Sequence, residues 1–214
     1  MTEKDKENQA SRTRMMVPVL IGALIAAFAA TMFMGSEPEK KQTASAPAAS
    51  SSSTISKALI TGQMKNFVLK TDLPALPEVP FRNGEDKEMK LSDWKGRVVM
   101  LNLWATWCAP CRHEMPSINR LQEEFGSDQF EVVALSVDRK GLSASAKFLE
   151  EVKASALKLY VDKTSDALQK LGVIGLPATF LIDREGREIG RLLGPAEWDS
   201  DEAKALIKAA LASS

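Results

Sequence analysis

Val98 to Trp104 reads VVMLNLW and runs directly into Ala105-Thr106-Trp107-Cys108-Ala109-Pro110-Cys111. The first seven residues are a short, mostly apolar run of the kind that forms a buried strand. Beyond the cysteines, Met115, Ile118, Leu121 and Phe125 recur at helical spacing. The stretch therefore predicts a strand, a tight turn and a helix that opens at Cys108. At that position free backbone N–H groups and the positive end of the helix dipole favour a thiolate over a thiol. The thiolate is the nucleophile, so Cys108 is the expected attacking sulfur. Cys111, one turn further on the same face, is placed to attack a mixed disulfide formed on Cys108.

Spacing alone leaves other chemistries open. The chain has two cysteines and one histidine, His113. A disulfide-stapled scaffold needs more cysteines, spread along the sequence. A structural zinc site needs four ligands, so zinc would require carboxylates or a second chain. Haem attachment needs a histidine after the second cysteine, and Arg112 stands there. A peroxidase working through a single cysteine has no use for a resolving thiol so close by. A Cu(I) chaperone would use the two soft thiolates, with a third ligand drawn from His113 or Met115. An inert disulfide closing so short a loop would stabilise little.

Further out, Phe130 to Val137, Leu157 to Val161 and Ala178 to Asp183 read as strands. Arg184 to Arg187 is a turn, with Glu188 to Leu193 as hairpin partner. Phe148, Leu149 and Val152 mark one intervening helix, and Ala167, Leu168 and Leu171 a shorter one. A last helix runs through Ala203, Leu206, Ile207 and Leu211, capped by Asp199 or Ser200, with Glu202 placed for a capping box. Strands alternating with helices predict an α/β fold, a sheet covered on both faces.

The N-terminal quarter differs in kind. Residues 1–16 are polar and charged, and Met15 to Met34 carries no charge at all. About 20 apolar residues at ~1.5 Å each match the ~30 Å hydrocarbon core, which predicts a membrane anchor over residues 17–34. Ala27-Phe28-Ala29 resembles a signal-peptide cleavage site, but the apolar run continues past it. Lys4, Lys6, Arg12 and Arg14 precede the run, and only Lys40 and Lys41 follow closely, which orients the N-terminus to the cytoplasm. Residues 35–57, rich in Ser, Ala and Pro, are expected to form a flexible tether of roughly 25 Å mean span. Residues 58–214 form the globular domain. The 28 basic and 28 acidic residues balance, and no basic stripe points to nucleic acid as a partner.

The segments WATWCAPCRHEMP and GLPATFLIDREGREIGRLLGP together resemble the thioredoxin superfamily and its membrane-anchored TlpA/ResA-like branch. Gly194-Pro195-Ala196-Glu197-Trp198 is most similar to the TlpA members. The resemblance covers Leu59 to Ala212 and implies a thioredoxin-like fold with a central insertion over Leu142 to Val161. It implies a redox-active Cys108–Cys111 pair needing no other cofactor, flanked by Ala109 and Pro110. Pro177 matches a cis-proline facing the disulfide, Leu176 a residue lending backbone groups to an extended substrate, and Trp107 a residue shielding the disulfide. Without the resemblance Trp107 reads as core. Asn102 stands where thioredoxin has a proton-handling aspartate. Glu114 matches an acidic residue near the cysteines, where a negative charge would raise thiol pKa values; its alternative is a solvated helix position. Arg112 and His113 read as surface residues. The implied activity is reduction of client disulfides in cytochrome oxidase copper-site assembly or cytochrome c maturation. The implied setting is a bacterial inner membrane with the catalytic domain periplasmic. The implied partners are clients with disulfides or cysteine metal sites, a membrane thiol reductant, and the bilayer.

Overall fold

Residues 55–213 are described by a computed structural model. The expected N-terminal segment (1–16) and anchor (17–34), and all but the end of the expected tether, lie outside them. Among the described residues no helix is long and apolar enough to cross a membrane. Ile55, near the end of the expected tether, packs into the apolar core, and a 3-10 turn begins at Lys57.

Strands β1 (Val68–Leu69), β2 (Pro80–Asn83) and β3 (Glu88–Lys90) precede the cysteines. β4 (Val98–Trp104) leads into α1 (Ala109–Phe125), then β5 (Phe130–Ser136), α2 (Leu142–Glu151), β6 (Tyr160–Val161) and α3 (Asp166–Lys170). The hairpin β7 (Ala178–Ile182) and β8 (Glu188–Leu193) is followed by α4 (Asp201–Ala212). Among the described residues the eight strands form one sheet in the order β1-β8-β7-β4-β5-β6-β2-β3. β5 runs parallel to β4 and to β6, whereas β7 is antiparallel to β4 and to β8.

All seven side chains of β4 and all seven of β5 are buried. Alternate side chains of a strand point to opposite faces, so neither face at the sheet centre meets water. Met115, Ile118 and Leu121 of α1 are fully buried, and each contributes roughly 1.5–3 kcal/mol by leaving solvent. The expected strand at Leu157 to Val161 shortens to Tyr160–Val161, because only those two residues find ladder partners on β5, Leu135 and Ser136. The last helix is capped by Ser200, whose hydroxyl accepts the Ala203 N–H. That choice puts alanine at the third helical position, so Glu202 forms no capping box. Asp199 instead pairs with Arg120, and Lys204 with Glu124, fastening α4 and its entry loop beside α1.

Candidate active site

Cys108 is the N-cap of α1, with extended backbone (φ −84°, ψ 102°). Ala109 and Pro110 fill the first helical turn, where proline's missing N–H costs nothing. Cys111 N–H points back at Cys108 Sγ at 3.3 Å. The two sulfurs are joined in a disulfide, with Cα atoms 5.3 Å apart. Cys108 is 5% exposed and Cys111 fully buried, so the N-terminal sulfur is the accessible one. Ala109 and Trp107 are exposed and Pro110 half-buried; Trp107 is 66% exposed, which excludes the core reading.

The turn ahead of Cys108 is held at Thr106. Its N–H (3.3 Å) and its hydroxyl both donate to Oδ2 of buried Asp138, in the loop after β5. Asp138 Oδ1 accepts the Lys140 N–H at 2.9 Å. Burial would push this carboxyl's pKa up, but the bonds from Thr106 and Lys140 outweigh it and hold it below the usual value. The Thr106 carbonyl accepts from Arg112 at 3.5 Å, and that guanidinium lies over the Phe148 ring and pairs with Glu151. α2, the helix of the expected insertion, thus props the active-site turn.

The Leu176–Pro177 peptide is cis. Leu103 pairs with Ala178 and Ala178 with Leu193, so three strand ends finish at one edge of the sheet. That edge carries Trp104 to Cys108, Leu176-Pro177 and Leu193-Gly194. Gly194 N–H donates to the Pro177 carbonyl at 2.9 Å from a backbone with φ +112°, which an L side chain rarely adopts.

Glu114 is 1% exposed, which excludes a solvated helix position. Its Oε1 accepts from Asn102 Nδ2 (2.8 Å), and its Oε2 from Ala196 N–H (3.2 Å) and Trp198 Nε1 (3.3 Å). Burial pushes its pKa up to about 7, against the lowering pull of these three donors, and neighbouring Glu197 adds a smaller push. Asn102 Nδ2 also donates to Thr179 Oγ1 at 2.9 Å, while its Oδ1 has no partner among the described residues. A carboxyl that titrates near neutrality thus lies one helical turn beyond Cys111. Arg112 is half-buried and His113 exposed. Among the described residues no three His, Cys, Asp or Glu side chains cluster so as to hold a metal ion.

Sequence reasoning did not single out Thr106, Asp138, Thr179 or the backbone of Ala196 as site residues, and it used Trp198 only as a mark of likeness. Their signal is tertiary: each reaches the site from an element remote in sequence.

Residues 60–187 match the AhpC/TSA family. The thiol-disulfide oxidoreductase ResA of Bacillus thuringiensis subsp. konkukian is 38% identical over 112 residues, 51% of this chain and 62% of that protein. The thioredoxin-like protein YneN of Bacillus subtilis is 32% identical over 116 residues, 51% of this chain and 64% of its own. The chain thus spans less than two thirds of these relatives' length. A crystal structure of a candidate thiol:disulfide interchange protein DsbE from Chlorobium tepidum superposes with a TM-score of 0.58 and 35% identity, covering 64% of this chain and 96% of that one.

Proposed function

We propose, from the premise that this chain belongs to the AhpC/TSA family and to its TlpA/ResA branch of thiol-disulfide oxidoreductases, that it is an extracytoplasmic reductase of protein disulfides. The observation that carries this reading is the Cys108–Cys111 disulfide at the start of α1, its accessible sulfur at the same sheet edge as cis-Pro177.

In the reduced enzyme Cys108 is the thiolate, stabilised by the helix N-terminus and by the Cys111 N–H. It attacks one sulfur of a client disulfide, forming a mixed disulfide, and the departing client thiolate takes up a proton. Cys111 then loses its proton and attacks Cys108 Sγ, which releases the second client thiol. The client gains two electrons and two protons, one proton originating at Cys111 and the other taken from solvent, and the enzyme is left with the disulfide seen here. We assign the proton from Cys111 to Glu114, one helical turn further on, whose pKa burial raises to about 7. Its negative charge when ionised would oppose the helix dipole that favours the Cys108 thiolate. Leu176 lends its backbone to the client segment, and Trp107, Ala109 and Pro110 shape the surface it meets. No cofactor beyond the cysteine pair enters this cycle. A dithiol reductant in the same membrane must return the two electrons, since an oxidising compartment would otherwise leave the pair oxidised.

The uncharged run 15–34 and its basic flank support a single-pass anchor in a bacterial inner membrane, with the domain on the periplasmic side. The resemblance of WATWCAPCRHEMP and GLPATFLIDREGREIGRLLGP to the TlpA/ResA-like branch is what supports clients in cytochrome biogenesis. The test is a trap: Cys111→Ala should leave clients covalently bound through Cys108, released by dithiothreitol. If no mixed disulfide accumulates, the oxidoreductase reading fails.

A further inference from the structure

Asn102 and Thr179 face each other across β4 and β7 as Cα partners, and both are fully buried. The Asn102 amide uses only one of its ends. Its Nδ2 donates to Glu114 Oε1 at 2.8 Å and to Thr179 Oγ1 at 2.9 Å. Its Oδ1 is shut off from water and finds no partner among the described residues. Buried polar atoms are rarely left in that condition.

The Glu114 carboxyl has the complementary shortage. Each partner the structure gives it is a donor: Asn102 Nδ2, the Ala196 N–H and Trp198 Nε1. That set suits a carboxylate, which only accepts. A protonated carboxyl has an O–H of its own to place, and here it meets N–H groups. Burial nevertheless favours the protonated form, and Glu197, in the loop before α4, pushes the same way. On α1 the cysteine pair lies one turn back and His113 is exposed, while the groups brought by β4 and β7 are the uncharged Asn102 and Thr179.

One motion answers both shortages. Rotating the Asn102 amide by half a turn exchanges Oδ1 and Nδ2, which are nearly equal in size, so the packing is undisturbed. Oδ1 then accepts the Glu114 O–H. The Thr179 hydroxyl, an acceptor in this structure, donates to that same Oδ1. Either orientation leaves one end of the amide unpaired, so the charge on Glu114 decides between them. We propose that Asn102 is a positioning residue for the proton step, its amide turning as Glu114 takes a proton and pivoting on the Thr179 hydroxyl. The inference rests on the reading of Glu114 as acceptor of the Cys111 proton, and says how a buried carboxyl there is satisfied both with the proton and without it. An aspartate at position 102 would be a second acid; asparagine adds no proton and can pair with either form of Glu114.

The experiment follows the full chain, isotopically labelled and oxidised so that no thiol titrates, by NMR from about pH 5 to about pH 9. The Glu114 Cδ signal reports its protonation. The Asn102 amide protons and Trp198 Hε1 converge on one carboxyl, so an NOE between them is expected above the Glu114 midpoint and should be lost below it. Glu114→Gln brings an amide to the same three donors, and its Nε2 is paired only if Asn102 turns; the NOE should then be absent at every pH. Asn102→Leu takes one bond from each protonation state, so the Glu114 midpoint should stay within about half a pH unit. Loss of a fixed donor would instead raise it by about one unit or more. The wild-type titration needs no substitution, so poor folding of either variant leaves the proposal open to refutation. An NOE that persists below the midpoint, or a midpoint raised that far by Asn102→Leu, would make Asn102 a fixed donor and overturn the proposal while leaving Glu114 its proton. A Glu114 carboxyl still ionised at about pH 5 would bring down the proton-acceptor reading and this inference with it.

Discussion

Burial raises the Glu114 carboxyl's pKa, and the direction of the pH dependence this gives follows from its surroundings. Its carboxyl moves from 4.5 to about 7 on folding because burial outweighs three donated hydrogen bonds. A raised folded pKa means the native state holds a proton that the unfolded chain releases. Its contribution to stability is therefore full below about pH 4.5 and is lost as pH rises through about 7. The shift corresponds to something on the order of 3 kcal/mol. Urea unfolding of the oxidised protein at about pH 5 and about pH 8 should show this loss, and Glu114→Gln should flatten it. Parallel pH dependences in the two proteins would refute the assignment. Gln also presents an amide to three donors, so a lower absolute stability is expected and is not the diagnostic. Asp138 is the second such residue, acting through Thr106. Asp138→Ala strips an acceptor from two N–H groups and a hydroxyl, which should cost about 1–3 kcal/mol. A cycle with Thr106→Val should show coupling of about 0.5–3 kcal/mol. Strict additivity would mean that the turn before Cys108 is held by something else.

Elements divide into those that sequence periodicity reveals and those that only partners create. β4, α1, β5, the β7–β8 hairpin and α4 were legible because each carries its own apolar pattern and punctuation. β1, β2 and β3 were not: they are two to four residues long, their side chains are mostly exposed or half-buried, and they exist as strands because β8 and β6 offer edges. At the site the same division holds. Cys108, Cys111 and the cis position of Pro177 sit in recognisable motifs, whereas Asp138 and Thr179 become site residues through pairings across the sheet. Burial of Glu114 likewise depends on Ala196 and Trp198, which no local pattern ties to it. Two substitutions probe the elements. A Cβ at Gly190 would lie 2.6 Å from the Val68 carbonyl oxygen and 2.4 Å from the Phe67 ring, so β1 must move away from β8. Gly190→Ala should cost roughly 1–3 kcal/mol. It should also speed hydrogen exchange at Lys70, whose N–H donates to Ile189 at 2.8 Å. Unchanged protection there would show that β1 tolerates the methyl group. Ser200→Ala should cost about 1 kcal/mol by removing the α4 cap, and Asp199→Ala less, since Asp199 makes a half-exposed ion pair rather than the cap.

For the whole molecule, redox state and stability are linked through the Cys108–Cys111 pair. A reductase holds its disulfide form as the more stable one, the reverse of an oxidant such as DsbA, whose reduced form is favoured. The oxidised protein should therefore resist urea better than the reduced protein. Its midpoint potential should lie nearer ~−270 mV than ~−120 mV, with 30 mV equivalent to about 1.4 kcal/mol. A more stable reduced form would turn the proposed direction of exchange around. The placing of Glu114's partners has a further consequence, for the order in which the molecule is made. Ala196 and Trp198 stand 82 and 84 residues after Glu114, and Pro177 also follows both cysteines by a long stretch. During synthesis the thiol pair emerges first, beside a carboxylate that is still hydrated and ionises like any other. Only when the final hairpin and the loop before α4 dock does that carboxyl lose water and acquire its neutral-range pKa. A nascent chain stalled before residue 196 would carry the cysteine pair without the buried form of its proposed tuning group, so the chain must be complete before the pair acquires the redox character proposed for it.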